Sequence, residues 1–387
     1  MMNEKRFAAA CMLALLVLSM RAAVSLGQMR SYVYGGNEDD ALGEMAVSGD
    51  GRVVMTGYTN SADGTLSDRT KVGRSGWALC VDLEGDVLWS FVSRLGVHDS
   101  MAQPVFHEDG SVTLVLEAEP DDGMELEAIR LSREGKVVSR KTMRKRSGEE
   151  AYVTLVSTHE REGYAVCAAN EKAETLRYAL YDYDGNLHGE YTSEEWMYGG
   201  AAMTVAAEHV IRHEDGAGVL YRVDEQGNET ALCEVYETYP QAGVNGGLLG
   251  GRYQALISME DGGAAGCGWV LHGTKSSDPR PGRITRWDAQ GKTVFDMWLE
   301  IGQLSDLVKT KDGYAAILYP EEEGPRTEPI PYSLAYFDER GIYRGKTQLE
   351  TGEDCAMKSA PDGTLIILQR FYEDGQGDVR MTVINAQ

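Results

Sequence analysis

Residues 81–89 read VDLEGDVLW. A run of strand character stops at Asp82, turns through Glu84 and Gly85, and resumes with Val87, Leu88 and Trp89. Nearly the same phrase returns as RLSREGKVV, LYDYDGNLH, RVDEQGNET, RWDAQGKTV and YFDERGIYR. The turn glycines are Gly85, Gly135, Gly185, Gly227, Gly291 and Gly341, at successive spacings of 50, 50, 42, 64 and 50 residues. Each sits between two runs with β-strand composition, so each marks a hairpin whose turn needs a residue that tolerates positive φ. A period near 50 with such flanks is the signature of propeller blades.

A second hairpin precedes most of these. Its turns are Asp50-Gly51, Asp109-Gly110, Glu162-Gly163, Asp312-Gly313 and Asp362-Gly363. Two hairpins make a four-stranded blade, with strands a to d running from the centre outward. The fourth repeat, around HVIRHEDGAGVLYRVD, is short. The fifth carries an extra stretch, QAGVNGGLLGG, and not all its strands can be placed. The chain ends supply a further clue. DVRMTVINAQ, residues 378–387, reads as a c strand with no d strand after it. MRSYVYGGNEDDAL, at residue 29 onward, matches the d strand and following loop LWSFVSRLGVHDSM. Residues 29–35 are therefore expected to supply the outer strand of the last blade, which removes the open edge and locks the ring. The expected fold is an all-β, seven-bladed β-propeller, with six or eight blades as the alternatives.

The first blade, residues 35–89, contains YGGNEDDALGEM, DGRVVMTGYTNSADGTLSD and GWALCVDLEGDVLW. This stretch resembles the repeats of bacterial exported β-propeller proteins, with their Gly-Gly, acidic pair, Asp-Gly turn, Gly-Tyr-Thr run and Trp-ended turn. ALCVDLEGDVLWSF is also similar to the tryptophan-ended strands of pyrroloquinoline-quinone-type propellers. Elsewhere the likeness falls back to the bare glycine turns. The resemblance implies the architecture. It implies no single activity, since propellers host binding, scaffolding and catalysis alike.

Composition agrees with a large folded domain. The chain has 387 residues, 42% hydrophobic and 25% charged, with 45 Gly against 10 Pro. That balance suits many tight turns between short strands. Lys5 and Arg6 precede the apolar run FAAACMLALLVLSM, and RAAVSLGQ follows with small residues. Residues 1–27 read as a secretory signal, retention as an N-terminal anchor being the alternative, and residues 28–387 as one propeller domain. No later stretch is apolar enough to span a membrane. The formal net charge is −24, and residues 1–27 carry Lys5, Arg6 and Arg21 against Glu4, so the remainder stands near −26. Such a charge repels nucleic acid and anionic lipid. Five cysteines follow Cys11, widely spaced and without a CxxC pair, and Cys80 and Cys167 fall in apolar strand runs as core residues.

In the expected strand order, the d–a links reach the central channel, and they are acidic. Asp39 and Asp40, Asp99, Glu150, Asp306 and Asp354 are the candidate ligand-binding residues. Carboxylates in a partial ring suit Ca²⁺ or an ammonium group, or serve only as solvated loop residues. No cofactor is expected; Ca²⁺ or Mg²⁺ are the cations such carboxylates suit, with calcium the candidate. YDYDGN, residues 181–186, coincides with a repeat turn and lacks the distal Glu of a calcium loop. His209 and His213 are four apart, which on a strand separates them by ~13 Å, too far for one zinc. Trp89 and Trp298, just beyond repeat glycines, read as packing between blades. Signatures such as GxSxG, HExxH, GxxxxGK and GxGxxG are missing. The expectation is a monomeric, secreted or cell-surface propeller that binds a protein or carbohydrate at the envelope, using its acidic funnel for a cation or cationic ligand. The alternatives are a polysaccharide hydrolase or lyase using two funnel carboxylates, and an envelope assembly scaffold.

Overall fold

The computed structural model describes residues 28–66, 74–93, 100–101, 104–118, 125–145, 152–159, 163–170, 175–182, 186–193, 203–206, 209–214, 217–223, 229–235, 251–270, 281–300, 302–319, 330–373 and 376–385. Residues 1–27, Asp99, Glu150, Gly185, Gly227 and most of the long b–c loops lie outside the described residues. Among the described residues there are 28 strands and one short 3-10 helix, Gly64–Leu66.

The repeat turn is built from local chemistry. At the first, Asp82 N–H donates to the Asp86 carbonyl at 3.1 Å, and Gly85 N–H donates to the Asp82 carbonyl. The Asp82 carboxylate also accepts the N–H groups of Glu84 and Asp86, at 3.0 and 2.8 Å. Asp288 and Asp338 do the same at their own turns. The glycines hold φ of +85° at Gly85, +76° at Gly135, +79° at Gly291 and +72° at Gly341. An L side chain resists that region, so the repeated glycine is a backbone requirement.

Each pair of hairpins forms an antiparallel sheet. In the first blade the order is Asp40–Val47, Val53–Thr59, Ser75–Val81, Val87–Val92. Three further sheets have four strands, including both repeats that the sequence left uncertain. The short fourth repeat runs Met203–Ala206, His209–Glu214, Ala217–Val223, Glu229–Val235. The fifth turns through Asp261 and Gly262 between Gly251–Ser258 and Ala264–Val270. In the second blade the a position is split between Ser100–Met101 and Val105–Phe106, both paired to Val112–Ala118. The remaining sheet has seven strands because Tyr343–Ser359 is continuous. Its first half pairs with Ile330–Asp338 as a d strand, and its second half with Leu365–Glu373 as an a strand.

Successive innermost strands touch. Gly251–Ser258 meets Gln303–Thr310, which meets Tyr343–Ser359, which meets Asp40–Val47. The sheets stand radially about one axis, the arrangement of a β-propeller. The ring closes as the sequence predicts: Met29–Tyr34 pairs antiparallel with the strand Gln376–Ile384, from Met29 opposite Ile384 to Tyr34 opposite Val379. Apolar side chains fill the space between blades. Met45, Met55, Trp77 and Leu79 of the first blade pack with Leu368, Met381 and Val383 of the last.

The repeat glycines also govern blade spacing. A Cβ on Gly135 would fall 2.6 Å from Trp89 of the preceding blade. At Gly85 it would fall 2.2 Å from Tyr32, at Gly291 2.7 Å from Leu232, and at Gly341 2.5 Å from Phe295. Each turn is thus the seat for a side chain from the outer strand next door, as expected for Trp89. Tyr34 adds a hydroxyl bond of 2.9 Å to the Gly85 carbonyl, so the closing strand uses the same seat.

Gly135→Ala therefore meets two penalties, about 1–2 kcal/mol for the left-handed backbone and about 1–3 kcal/mol for the clash with Trp89. The expected result is a melting temperature lower by several degrees. Gly49, with open space around its Cβ position, provides the control. Gly49→Ala is expected to leave the melt unchanged or raise it slightly.

Candidate functional site

The innermost strands do not run regularly down the channel. Their pairing with the b strands slips between Leu42 and Met45, between Tyr253 and Ala255, between Ser305 and Leu307, and between Glu353 and Cys355. A bulge gives one strand extra residues and re-aims their side chains. Glu44 and Asp306 stand in two of these bulges, and Lys358 follows a third. They come from three consecutive blades, with Lys358 on the middle one.

Asp306 is held from several sides. Among the described residues it is the one non-glycine with positive φ, at 42°. A non-glycine in this region stores strain, which the surroundings must over-determine. Its carboxylate accepts the N–H of Leu307 at 2.9 Å and that of Met357 from the neighbouring blade. Its carbonyl accepts a long bond of 3.5 Å from the buried Cys267 thiol. Enclosure pushes its carboxyl pKa upward, against the pull of Lys358 and of the two N–H donors. Glu44 is exposed to solvent by area, and protein groups stand close on several sides of it. Its pKa is also raised, by enclosure first, with the Lys358 charge opposing. Lys358 moves the other way from an isolated buried lysine. Enclosure favours its neutral form, but Asp306 and then Glu44 outweigh that and raise its pKa. The inner strands thus place an ammonium in the field of two carboxylates, beyond ion-pair distance of both.

Of the sequence candidates, Asp306 joins this group. Asp39 does not: its Oδ1 accepts a 2.6 Å ion-pair bond from Arg370 Nη2 on the strand Leu365–Glu373. Asp40 is 0% exposed and serves the fold. It accepts the Thr59 hydroxyl, the Ser61 hydroxyl at 3.1 Å and the Gly36 N–H at 2.8 Å, tying the entry loop to the end of the b strand. Burial raises its pKa, and those hydrogen bonds hold it back. Asp99 and Glu150 lie outside the described residues. Asp354 lies at the bulge between Glu353 and Cys355, and its side chain is outside the described set. Among the described residues no group of three or more His, Cys, Asp and Glu side chains is placed to hold a metal ion, so no calcium ligand set is assembled from them. His209 and His213 lie on one strand, as the zinc argument assumed.

Glu44 and Lys358 were missed by sequence reasoning. A signal for Glu44 exists: it stands seven residues before the turn glycine Gly51, as Asp306 stands seven before Gly313. Lys358 lies in the continuous strand Tyr343–Ser359, four residues past Asp354, where the sequence places the d–a link by its acidic pair but nothing singles out the lysine.

No protein-family profile matches the chain, and no curated protein does. Among solved structures it is similar to an oligogalacturonate lyase in complex with manganese, with a TM-score of 0.52 and 10% sequence identity, over 93% of this chain and 98% of that chain. At that identity the likeness shows a shared β-propeller fold.

Lys358→Met leaves two enclosed carboxylates facing each other without their cation. No direct ion pair is broken, so the cost is that of a lost longer-range attraction between partly exposed charges, about 0–1 kcal/mol. Both native carboxyl groups already bind protons more tightly than in the unfolded chain. Their contribution is most favourable below the unfolded pKa of about 4 and is lost as pH rises through the raised native values. The variant raises those values further. Urea unfolding at pH 5 and pH 8 is expected to show a larger loss for Lys358→Met at pH 8.

Proposed function

We propose that this chain is an exported binding protein whose propeller channel receives a cationic group, an ammonium or guanidinium, on its ligand. The observation that carries this reading is the convergence of Glu44, Lys358 and Asp306 on the channel from three consecutive innermost strands. Two carboxylates against one ammonium leave a net negative charge among partly enclosed groups, and such charges act more strongly there than at an open surface. The formal net charge of −24 adds long-range attraction for cations and repulsion for anions. Export rests on the basic start and apolar run of residues 1–20.

A second reading is a polysaccharide lyase or hydrolase using the same channel groups. The similarity to an oligogalacturonate lyase supports it at the level of fold, and a lysine set between carboxylates has the components of proton transfer. The overall acidity works against a polyanionic substrate. Oligogalacturonate incubated with the protein distinguishes the two readings. Time-dependent chain cleavage that disappears in Lys358→Met establishes the second and displaces the first.

The binding reading is tested with agmatine, which carries an ammonium and a guanidinium. A ligand at 100 times its Kd adds about 2.7 kcal/mol to stability. A saturable rise in melting temperature is expected, absent in Glu44→Gln/Asp306→Asn. No rise, or a rise equal in the double variant, overturns the channel as a cation-binding site.

A further inference from the structure

A second cluster of polar and aromatic side chains lies at the seam where the first and last blades meet, apart from the channel triad. Tyr58 is the penultimate residue of the strand Val53–Thr59, and Tyr372 is the penultimate residue of Leu365–Glu373. Both are b strands, so both rings stand at the ends of equivalent strands in adjacent blades. The Arg74 guanidinium lies over the Tyr58 ring at 4.1 Å from its centroid. The Arg370 guanidinium lies over the Tyr372 ring at 4.8 Å. Arg370 also holds Asp39 through the 2.6 Å bond. The pair is made possible by Gly377, where a Cβ would fall 2.4 Å from Asp39 Oδ1.

The Asp39–Arg370 bond by itself is explained as a latch between the chain ends. Each tyrosine packs beneath a guanidinium, and Tyr372 still leaves 38% of its surface exposed. Asp39 likewise keeps 38% of its side chain exposed while its position is set by Arg370. An accessible aromatic ring, a positioned carboxylate and guanidinium groups together match one ligand chemistry. The C–H face of a pyranose ring covers an aromatic surface, and vicinal hydroxyls donate to a carboxylate and accept from a guanidinium. The entry loop carries Glu38, Asp39 and Asp40, and Asp63 accepts the Asn37 N–H at 2.8 Å beside it, so carboxylates predominate at the seam and favour an uncharged sugar over an acidic one.

We infer that the seam between the first and last blades is a binding subsite for neutral oligosaccharides, with Tyr372 and Tyr58 as the stacking surface and Asp39 with Arg370 as the hydroxyl-binding pair. This inference is independent of the channel reading. The two sites share no residue.

The test is an array of neutral cello-, xylo-, manno- and chito-oligosaccharides, with trigalacturonate as the acidic probe, probed with residues 28–387. Retention of a neutral probe is expected, followed by calorimetric titration with that oligosaccharide. Tyr372→Ala removes an exposed ring and is expected to weaken binding about tenfold, the scale of one aromatic contact, without lowering the melting temperature. Gly377→Ala displaces Asp39 and is expected to weaken binding further. Gly49→Ala, with open space at its Cβ position, is the substitution control and is expected to bind sugar as the parent protein does. The inference is overturned if no neutral probe is retained, if trigalacturonate alone is retained, or if Tyr372→Ala titrates as the parent protein does.

Discussion

The contact on which this propeller depends is that between a turn glycine and a side chain from the outer strand of the preceding blade. Tyr32 on Gly85, Trp89 on Gly135, Leu232 on Gly291 and Phe295 on Gly341 are the same device in different residues. Positive φ and close approach act at one position, so glycine is required twice over. The rotation of each sheet against the next follows from that seat. The closing strand obeys it too, since Tyr32 comes from the N-terminal end of the described chain and sits against the first c–d turn. Strand pairing from Met29 to Tyr34 then removes the free edge that a linear stack of sheets would expose.

A ring closed in this way has a rigid axis, and charges placed along it are held by backbone rather than by flexible side-chain packing. Asp306 shows how. Its bulge, its positive φ and the N–H from Met357 of the neighbouring blade all constrain one carboxylate. Lys358, next in sequence to Met357, is positioned by the same crossing. The result is a charged group in a confined space, where enclosure raises the pKa of both carboxyls and their field keeps the lysine protonated. The seam uses the ring differently. There the meeting of the chain ends brings Asp39 and Arg370, 331 residues apart, into contact beside two tyrosines.

Much of the fold was legible because glycine and aspartate act locally. VDLEGDVLW contains both the φ requirement and the carboxylate that satisfies the turn N–H groups, and neither needs distant partners. The closing strand was legible from the resemblance of MRSYVY to LWSFVS. The site was less so. Acidic residues near the d–a links look alike in sequence, yet Asp40 is a buried tie, Asp39 an ion-pair partner and Asp306 a channel group. Burial and partner separate them, and both belong to the assembled ring.

The sequence by itself determined the repeat, the hairpin turns and the way the ends meet, because those rest on local backbone preference and alternation along strands. Only the tertiary structure decided which charges converge. Glu44, Asp306 and Lys358 occupy three blades, and their meeting depends on bulges that re-aim the inner strands and on a continuous strand, Tyr343–Ser359, that changes role midway. A bulge shifts a side chain from one face to another without altering composition, so its consequence appears only when the strands are paired.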